Sequence, residues 1–410
     1  MGHKWQQLPA AIICIALAIA AADAANDNAR EYKVLCDLLS LSKGLETLSL
    51  NADENAADTF VTDIFMLNLT TAKDSFKENK DGELTPTTTD KKNKAIEDWN
   101  KKIKSLNDKE GDPPKLKYPR PANENAREAA NAQINTLYAR AKTLAEDYRS
   151  DVTKAKDNTK QAKKDITDAL FGPGKTTFDQ STMEGNIEDN CKSSGGQASK
   201  VAISVSHDLM CICVAGLGST DSNNICKQGL NVAAVTTGNG KTNSQAQYNS
   251  LIAECKLKPA QGGITAQLLR SQLGVFLATI GAQAFSRTTG EARYILGKPH
   301  TSNGCDGSVG QGVCVDYAPH LNTGNGRLPW QKKLEQAADK LEQAKSDMQQ
   351  AEQIKNQLLD IHATAWAVFK AAAIQKRAES RATEQPPPPK RSRCFFALRQ
   401  TQHKHNLRSS

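Results

Sequence analysis

Between Ala126 and Leu170 apolar residues return every three or four positions: Ile134, Leu137, Ala141, Leu144, Tyr148, Val152, Ala155, Ala162, Ile166 and Leu170. Steps that alternate mostly between three and four put these side chains on one narrow stripe of an α-helix. Pro119 and Pro121 precede the run and Gly172-Pro173-Gly174 follows it, as helix start and stop signals require. A second run reads the same way: Leu334, Ala338, Leu341, Ala344, Met348, Ala351, Ile354, Leu358, Ile361, Ala365 and Val368, with Pro329 just ahead. Each run is about 40 residues, roughly 60 Å of helix at 1.5 Å per residue. A helix of that length must bury its stripe, and two such stripes cover each other most simply as an antiparallel pair. A third helix, from Asn28 to about Leu50, offers Leu35, Leu38, Leu39, Leu41, Leu45 and Leu48 as further cover. The expected fold is mostly α, an elongated rod on two long antiparallel helices. Disulfide-linked glycine-rich loops and short elements are expected to form lobes on it.

Between the two runs the pattern changes. Of the 26 glycines, 22 lie from Gly172 to Gly326, and most of the cysteines share that interval. The helical flanks are rich instead in Ala, Lys, Glu, Asp, Asn and Gln. With 5% aromatic and 38% hydrophobic residues, the chain favours a thin core held by aliphatic seams and cross-links.

The N-terminus sets the redox compartment. His3 and Lys4 form a short positive region, Leu8 to Ala22 an apolar one, and Ala22-Asp23-Ala24 a small-x-small cleavage pattern. Together they read as a secretory signal peptide over residues 1–24, too short in its apolar part for a spanning helix. The main domain is then 25–380. Cys14 leaves with the signal and Cys394 lies in a basic, proline-rich tail over 381–410, expected to be disordered. Eight cysteines remain: Cys36, Cys191, Cys211, Cys213, Cys226, Cys255, Cys305 and Cys314. An even number on an oxidising route predicts four disulfides. Cys211 and Cys213 are one residue apart and are expected to reach different distant partners among Cys36, Cys191, Cys226 and Cys255. Their side chains would point to opposite sides of an extended segment. Cys305 and Cys314 bracket a glycine-rich loop and suit a local bridge. A four-sulfur metal site at Cys211, Cys213, Cys226 and Cys255 is the weaker alternative.

Little else carries chemistry. GNGKT at 238–242 and GPGKT at 172–176 look like parts of a phosphate loop, but Val235 and Ala169 stand where the first glycine is needed, so both read as turns. His207-Asp208 could orient an imidazole, yet no nucleophile motif accompanies it, and a surface or helix-capping role is expected. No catalytic, cofactor-binding or metal site is predicted. Asn68-Leu69-Thr70 is the sole N-glycosylation sequon, in apolar surroundings set by Ile64, Phe65, Met66 and Leu67. Of the net charge of +8, six come from Lys390, Arg391, Arg393, Arg399, Lys404 and Arg408 in the tail. The rest is near neutral and gives no case for a nucleic-acid partner.

Four stretches carry a family resemblance: NDNAREYKVLCDLLSL at 26–41, SHDLMCICVAG at 206–216, GVCVDY at 312–317 and RLPWQKKLEQA at 327–337. Their order and cysteine placement resemble trypanosome variant surface glycoproteins with the B-type N-terminal domain, from about Asn26 to Ile374. The resemblance implies a non-enzymatic coat antigen without cofactor, a homo-oligomer (dimer or trimer) exposed to host antibodies. It implies a route through the secretory pathway to the outer face of the plasma membrane. There, antigenic variation evades antibody, with variable epitopes in the glycine-rich middle. In the family, a small cysteine-rich domain and a hydrophobic tail lead to a glycolipid anchor. Here CFFAL is too short for such a tail. The sequence therefore suggests a frame truncated or shifted after about Glu384, with secretion, or with membrane association only through a partner. A second expectation is an unanchored subunit of a related nutrient receptor that binds a host serum protein.

Overall fold

The computed structural model describes residues 26–73, 90–192, 198–215, 217, 224–283, 292–300, 305, 312–322 and 326–383. The expected signal peptide, Cys14, Cys394 and the tail from 384 lie outside these residues. In chain order the elements are α1 (Ala29–Leu39), α2 (Asp58–Thr71), α3 (Asp90–Ser105), the short strands β1 (Lys109–Glu110) and β2 (Lys115–Leu116), and α4 (Glu124–Phe171). Then come α5 (Glu188–Cys191), α6 (Val205–Cys213), α7 (Gly240–Cys255), α8 (Ala266–Leu277), β3 (Ile295–Pro299), β4 (Gly312–Asp316), α9 (Ala318–Leu321) and α10 (Pro329–Thr383). The fold is mostly α, and its two long helices, α4 with 48 residues and α10 with 55, cover the two periodic runs.

The periodic residues are the buried ones. In α4, Ile134, Ala141, Tyr148, Val152, Ala155, Ala162, Ile166 and Leu170 are buried, while Leu137 and Leu144 are half-buried. In α10, Leu334, Ala338, Ala344, Ala351, Leu358, Ile361 and Ala365 are buried. Near the end of that run Val368 turns half out and Phe369 takes the buried position instead. A straight helix drifts by about 20° per heptad against a strict 3.5-residue repeat, which moves the stripe onto a neighbouring residue after several turns.

The described residues form two compact units, one of 26–56 with 146–355, the other of 57–145 with 356–383. In the larger unit the two long helices run antiparallel: Asn158 Nδ2 donates to Asp347 at 3.0 Å, and Lys333 pairs with Asp165 at 3.0 Å. In the smaller unit Ala126 and Ala130 of α4 line one groove with Ala367 and Ala371 of α10.

The expected third helix is shorter than its leucine spacing suggested. α1 stops at Leu39, and the chain continues as a tighter 3₁₀ segment over Ser40–Gly44. Two hydroxyls compete for helix carbonyls here: Ser40 Oγ donates to Cys36 O at 2.9 Å and Ser42 Oγ to Leu39 O at 2.7 Å.

The two glycine-lysine stretches serve the backbone. Gly172 has φ +98° and closes α4, its N–H donating to Asp168 O at 2.8 Å, the left-handed stop that suits glycine. Gly240 opens α7 where two chain segments nearly touch. Its N–H donates to Gly185 O at 2.9 Å, and an added Cβ would lie 2.0 Å from Glu184 O. Only a residue without a side chain fits that approach.

The core of the larger unit gathers around α6, every residue of which is buried. α1 packs on it from one direction with Leu35, Leu38 and Leu39, and the antiparallel pair β3–β4 covers it from another. Phe276 of α8, Tyr317 and Trp330 complete the centre, with Phe276 edge-on to Trp330 at 4.6 Å.

Candidate functional site

α6 carries both cysteines of the DLMCICVAG stretch. It is a helix, not the extended segment expected, and the divergence of the two sulfurs follows from that. Successive helical residues turn by about 100°, so positions two apart face roughly opposite ways. Cys211 pairs with Cys191 of α5, Cα to Cα 5.4 Å, and Cys213 pairs with Cys226 at 5.5 Å. Cys36 of α1 joins Cys255 at the end of α7, 5.4 Å apart, and Cys305 joins Cys314 of β4, 5.7 Å apart. These eight sulfurs are all spent on one another, which leaves the weaker four-sulfur metal alternative without ligands. Among the described residues no group of three or more His, Cys, Asp or Glu is placed to hold a metal ion.

His207 and Asp208 sit at the start of α6, where sequence spacing suggested a surface or capping role. The structure corrects this: both are fully buried. The cap is Ser204, whose Oγ accepts the His207 backbone N–H at 3.3 Å. Ser204 Oγ also bonds His207 Nδ1 at 2.8 Å, and Thr182 Oγ1 bonds Nε2 at 3.2 Å. Burial pushes the imidazole down to about 4. Asp208 faces a different set. Its Oδ2 accepts from Tyr317 OH and from Trp330 Nε1, each at 2.7 Å, while Oδ1 meets no donor. Burial raises this carboxyl to about 7 against the lowering effect of those two bonds. The two residues are thus neighbours in sequence that bond to separate partners. The imidazole is held by two hydroxyls, Ser204 and Thr182, and the carboxyl by a phenol and an indole.

Replacing Ser204 by alanine removes both the cap and the His207 Nδ1 partner. The expected cost is about 1–2 kcal/mol, read as a lower urea midpoint. An unchanged midpoint would contradict the capping role.

The four resemblance stretches meet around α6. Asn28 Nδ2, at the start of the first, donates to Ile212 O in the second at 2.7 Å and to Val313 O in the third at 2.8 Å. Asp208 in the second holds Tyr317 from the third and Trp330 from the fourth. The four stretches are therefore tied to α6 at two buried centres, Asn28 and Asp208, by hydrogen bonds that nothing in the linear spacing announces. A buried carboxylate that accepts from a phenol and an indole is a signal only three-dimensional contact reveals.

The sequon lies in the smaller unit. Asn68 is half-buried on α2, its Nδ2 donating to Asn135 Oδ1 of α4 at 3.3 Å, and its backbone O accepting from Asn131 Nδ2 at 2.9 Å. Thr70, the third sequon residue, is buried, with its hydroxyl spent on Met66 O at 2.8 Å.

Sequence reading missed a second polar cluster in the same unit. Asp63 of α2 accepts from Tyr118 OH, from His362 Nε2 at 2.6 Å and from Trp366 Nε1 at 2.7 Å, with Lys117 Nζ at 3.5 Å. Trp366 stacks on Tyr118 at 5.8 Å. Burial pushes the Asp63 carboxyl up, but the bonds from Tyr118, His362 and Trp366 and the Lys117 charge outweigh it, and the carboxyl ends below its ordinary value. The only local signal was the four-residue spacing of His362 and Trp366. Its remaining members lie hundreds of positions away.

No described helix is long and apolar enough to cross a membrane. A family model described as the trypanosomal VSG domain, of the B type, matches residues 10–359. Variant surface glycoprotein YnAT 1.1 of Trypanosoma congolense is 25% identical over 257 residues, which is 60% of this chain and 60% of that protein. Variant surface glycoprotein YnAT 1.3 of the same organism is 28% identical over 221 residues, 50% of this chain and 53% of that protein. The chain thus spans somewhat more than half the length of these curated relatives.

Proposed function

Because the chain belongs to the trypanosomal VSG domain family, we propose that it is a non-enzymatic coat protein of the trypanosome surface. It reaches the outer face of the plasma membrane by the secretory route, packs there as a homo-oligomer, and presents its exposed residues to host antibody. Replacement of one coat protein by another then removes the antibody's target.

The observation that carries this reading is where the family's stretches lie. Asn28, Asp208, Tyr317 and Trp330 are buried together, braced by disulfides on either side of α6. A fold held by such buried residues leaves exposed positions elsewhere free to change at little cost, since surface substitutions away from special features usually shift stability by about 0.5 kcal/mol or less. A coat antigen needs that separation.

Antibody raised against the purified chain and applied to live, unpermeabilised parasites that express it tests the reading. A dense, continuous surface label that disappears when the cells switch coat supports it. A label confined to the cell interior, or one that survives the switch, would count against it. Light scattering of the purified chain tests the assembly: a dimer or trimer is expected, and a monomer at all concentrations would remove that part of the proposal.

A further inference from the structure

One cavity in the larger unit is built differently from the rest of its surface. It opens between the turn after α1, the last turns of α4, the loop that follows, and one face of α7, with a volume of about 670 Å³. That is within the usual range for small-molecule sites, roughly 300–1,000 Å³. Its floor is aromatic and fixed. Phe171, Phe178 and Tyr248 are buried parts of the core. Phe178 stacks on Tyr248 with ring centres 4.2 Å apart, and the Tyr248 hydroxyl is held from behind by Ser206 Oγ at 3.2 Å. Leu39 and Ile252 extend the apolar surface.

The polar groups at the rim divide into spent and unspent. Ser42 Oγ donates to Leu39 O, Thr167 Oγ1 to Lys163 O, both at 2.7 Å, and Gln245 Nε2 to Asn249 Oδ1 at 3.1 Å. Two ammonium groups are left over. Lys43 and Lys163 both line the cavity, and neither has an ion-pair partner among the described residues. This differs from the nearby Lys164 and Lys175, which pair with Asp168 and Asp179 at 2.5 and 2.6 Å. Glu46 lines the rim as well, so the charged lining sums to one positive charge from two lysines and one glutamate.

A preformed apolar floor beneath a rim with one excess positive charge has a definite chemical complement: an apolar body that ends in one negative charge. We propose that this cavity binds a small amphipathic monoanion, an aliphatic monocarboxylic acid, with its chain on Phe171, Phe178 and Tyr248 and its carboxylate between Lys43 and Lys163. A polyanion would meet Glu46, and a neutral alcohol would leave both ammonium groups unsatisfied.

Calorimetric titration of the full chain with dodecanoate tests this. A dissociation constant on the order of 100 µM is expected for a ligand of that size. Dodecanol should bind about tenfold more weakly or worse, and the double variant Lys43→Ala/Lys163→Ala should lose about tenfold for dodecanoate while its melting temperature stays put. Ile252→Trp, which fills the floor, should abolish binding. If that variant fails to fold, the lysine variant and the alcohol decide alone. No heat of binding up to about 1 mM dodecanoate, equal affinity for the alcohol, or an unaffected lysine variant would each overturn the proposal.

Discussion

Changing Cys36 and Cys255 together to serine is expected to destabilise the chain by about 5 kcal/mol, the estimate for removing a cross-link that closes a loop of this length. The pair is separated by 219 residues. The bridges Cys191–Cys211 and Cys213–Cys226 lie inside that loop and shorten it by only 20 and 13 residues, and loop entropy depends on length logarithmically. The long bridge therefore keeps nearly all of its effect. The same model gives about 3 kcal/mol for Cys213–Cys226, so the two double variants should be ranked and not merely both weakened. Equilibrium unfolding in guanidinium without reductant provides the measurement. A loss under about 1 kcal/mol for the long bridge would mean that the unfolded chain is already compact around it. Cys36 is also packed into the core beside the leucines of α1, so the serine at position 36 would leave a hydroxyl in an apolar place and add to the loss.

The second large effect appears only as a difference between pH profiles. Asp208 is raised from 3.8 to about 7. Its contribution to stability is complete below the unfolded value and is lost as pH rises through 7. His207 is lowered from 6.5 to about 4, so its contribution is complete above 6.5 and is lost as pH falls through 4. Between about pH 4 and 6.5 the folded pair is a neutral imidazole beside a protonated carboxyl. The unfolded pair is an imidazolium and a carboxylate. Both states hold one proton, and the two slopes cancel. Asp208→Asn keeps an oxygen for Tyr317 and Trp330 but removes the carboxyl's titration. The imidazole slope then stands alone at about 1.4 kcal/mol per pH unit. The variant should lose on the order of 3 kcal/mol relative to the natural chain between pH 6.5 and 4, while above pH 7, where the natural carboxyl is ionised in both states, the difference should level off. Urea unfolding of both chains across that range decides the matter, because every other titrating group drops out of the difference. Parallel profiles would refute the compensation.

How much of this was legible in the sequence depends on the range of the interaction. The stripes of α4 and α10 repeat every turn, so Ile134 to Leu170 and Leu334 to Ala365 announce their burial locally. Gly172 marks its stop within the same few residues. The shift from Val368 to Phe369 was not visible, because a strict repeat ignores the accumulated rotation of a real helix. The end of α1 was misplaced for a different reason: leucines continue to Leu48, but Ser40 and Ser42 redirect the backbone bonds. The buried state of His207 and Asp208 was hidden altogether. Polar residues at a helix start usually face water; Asp208 depends on Tyr317 and Trp330, more than a hundred positions on, and His207 on Thr182 as well as the nearby Ser204. The Asp63 cluster was missed on the same grounds. Nearness in the chain singled out Cys305 and Cys314, which do pair, but the partners of Cys211 and Cys213 were left open, since the two diverge by helical rotation, which the sequence reading took for a strand's alternation.

The placement of Asn28 and Cys36 has a consequence for how the chain is made. The first residues of the domain are fastened to positions that a ribosome adds more than two hundred residues later. Asn28 waits for Val313, and Cys36 waits for Cys255. At about 5–20 residues per second, the Cys36 thiol stays without its partner for roughly 10–40 s. Four other thiols emerge during that interval. Cys191 and Cys211 are only 20 positions apart, and Cys213 and Cys226 only 13, so each couple can close soon after it appears. Once they have closed, Cys36 is the one thiol among them still open when Cys255 arrives. Short spans thus clear the competitors from the path of the long one, and the order of synthesis itself selects the correct bridge.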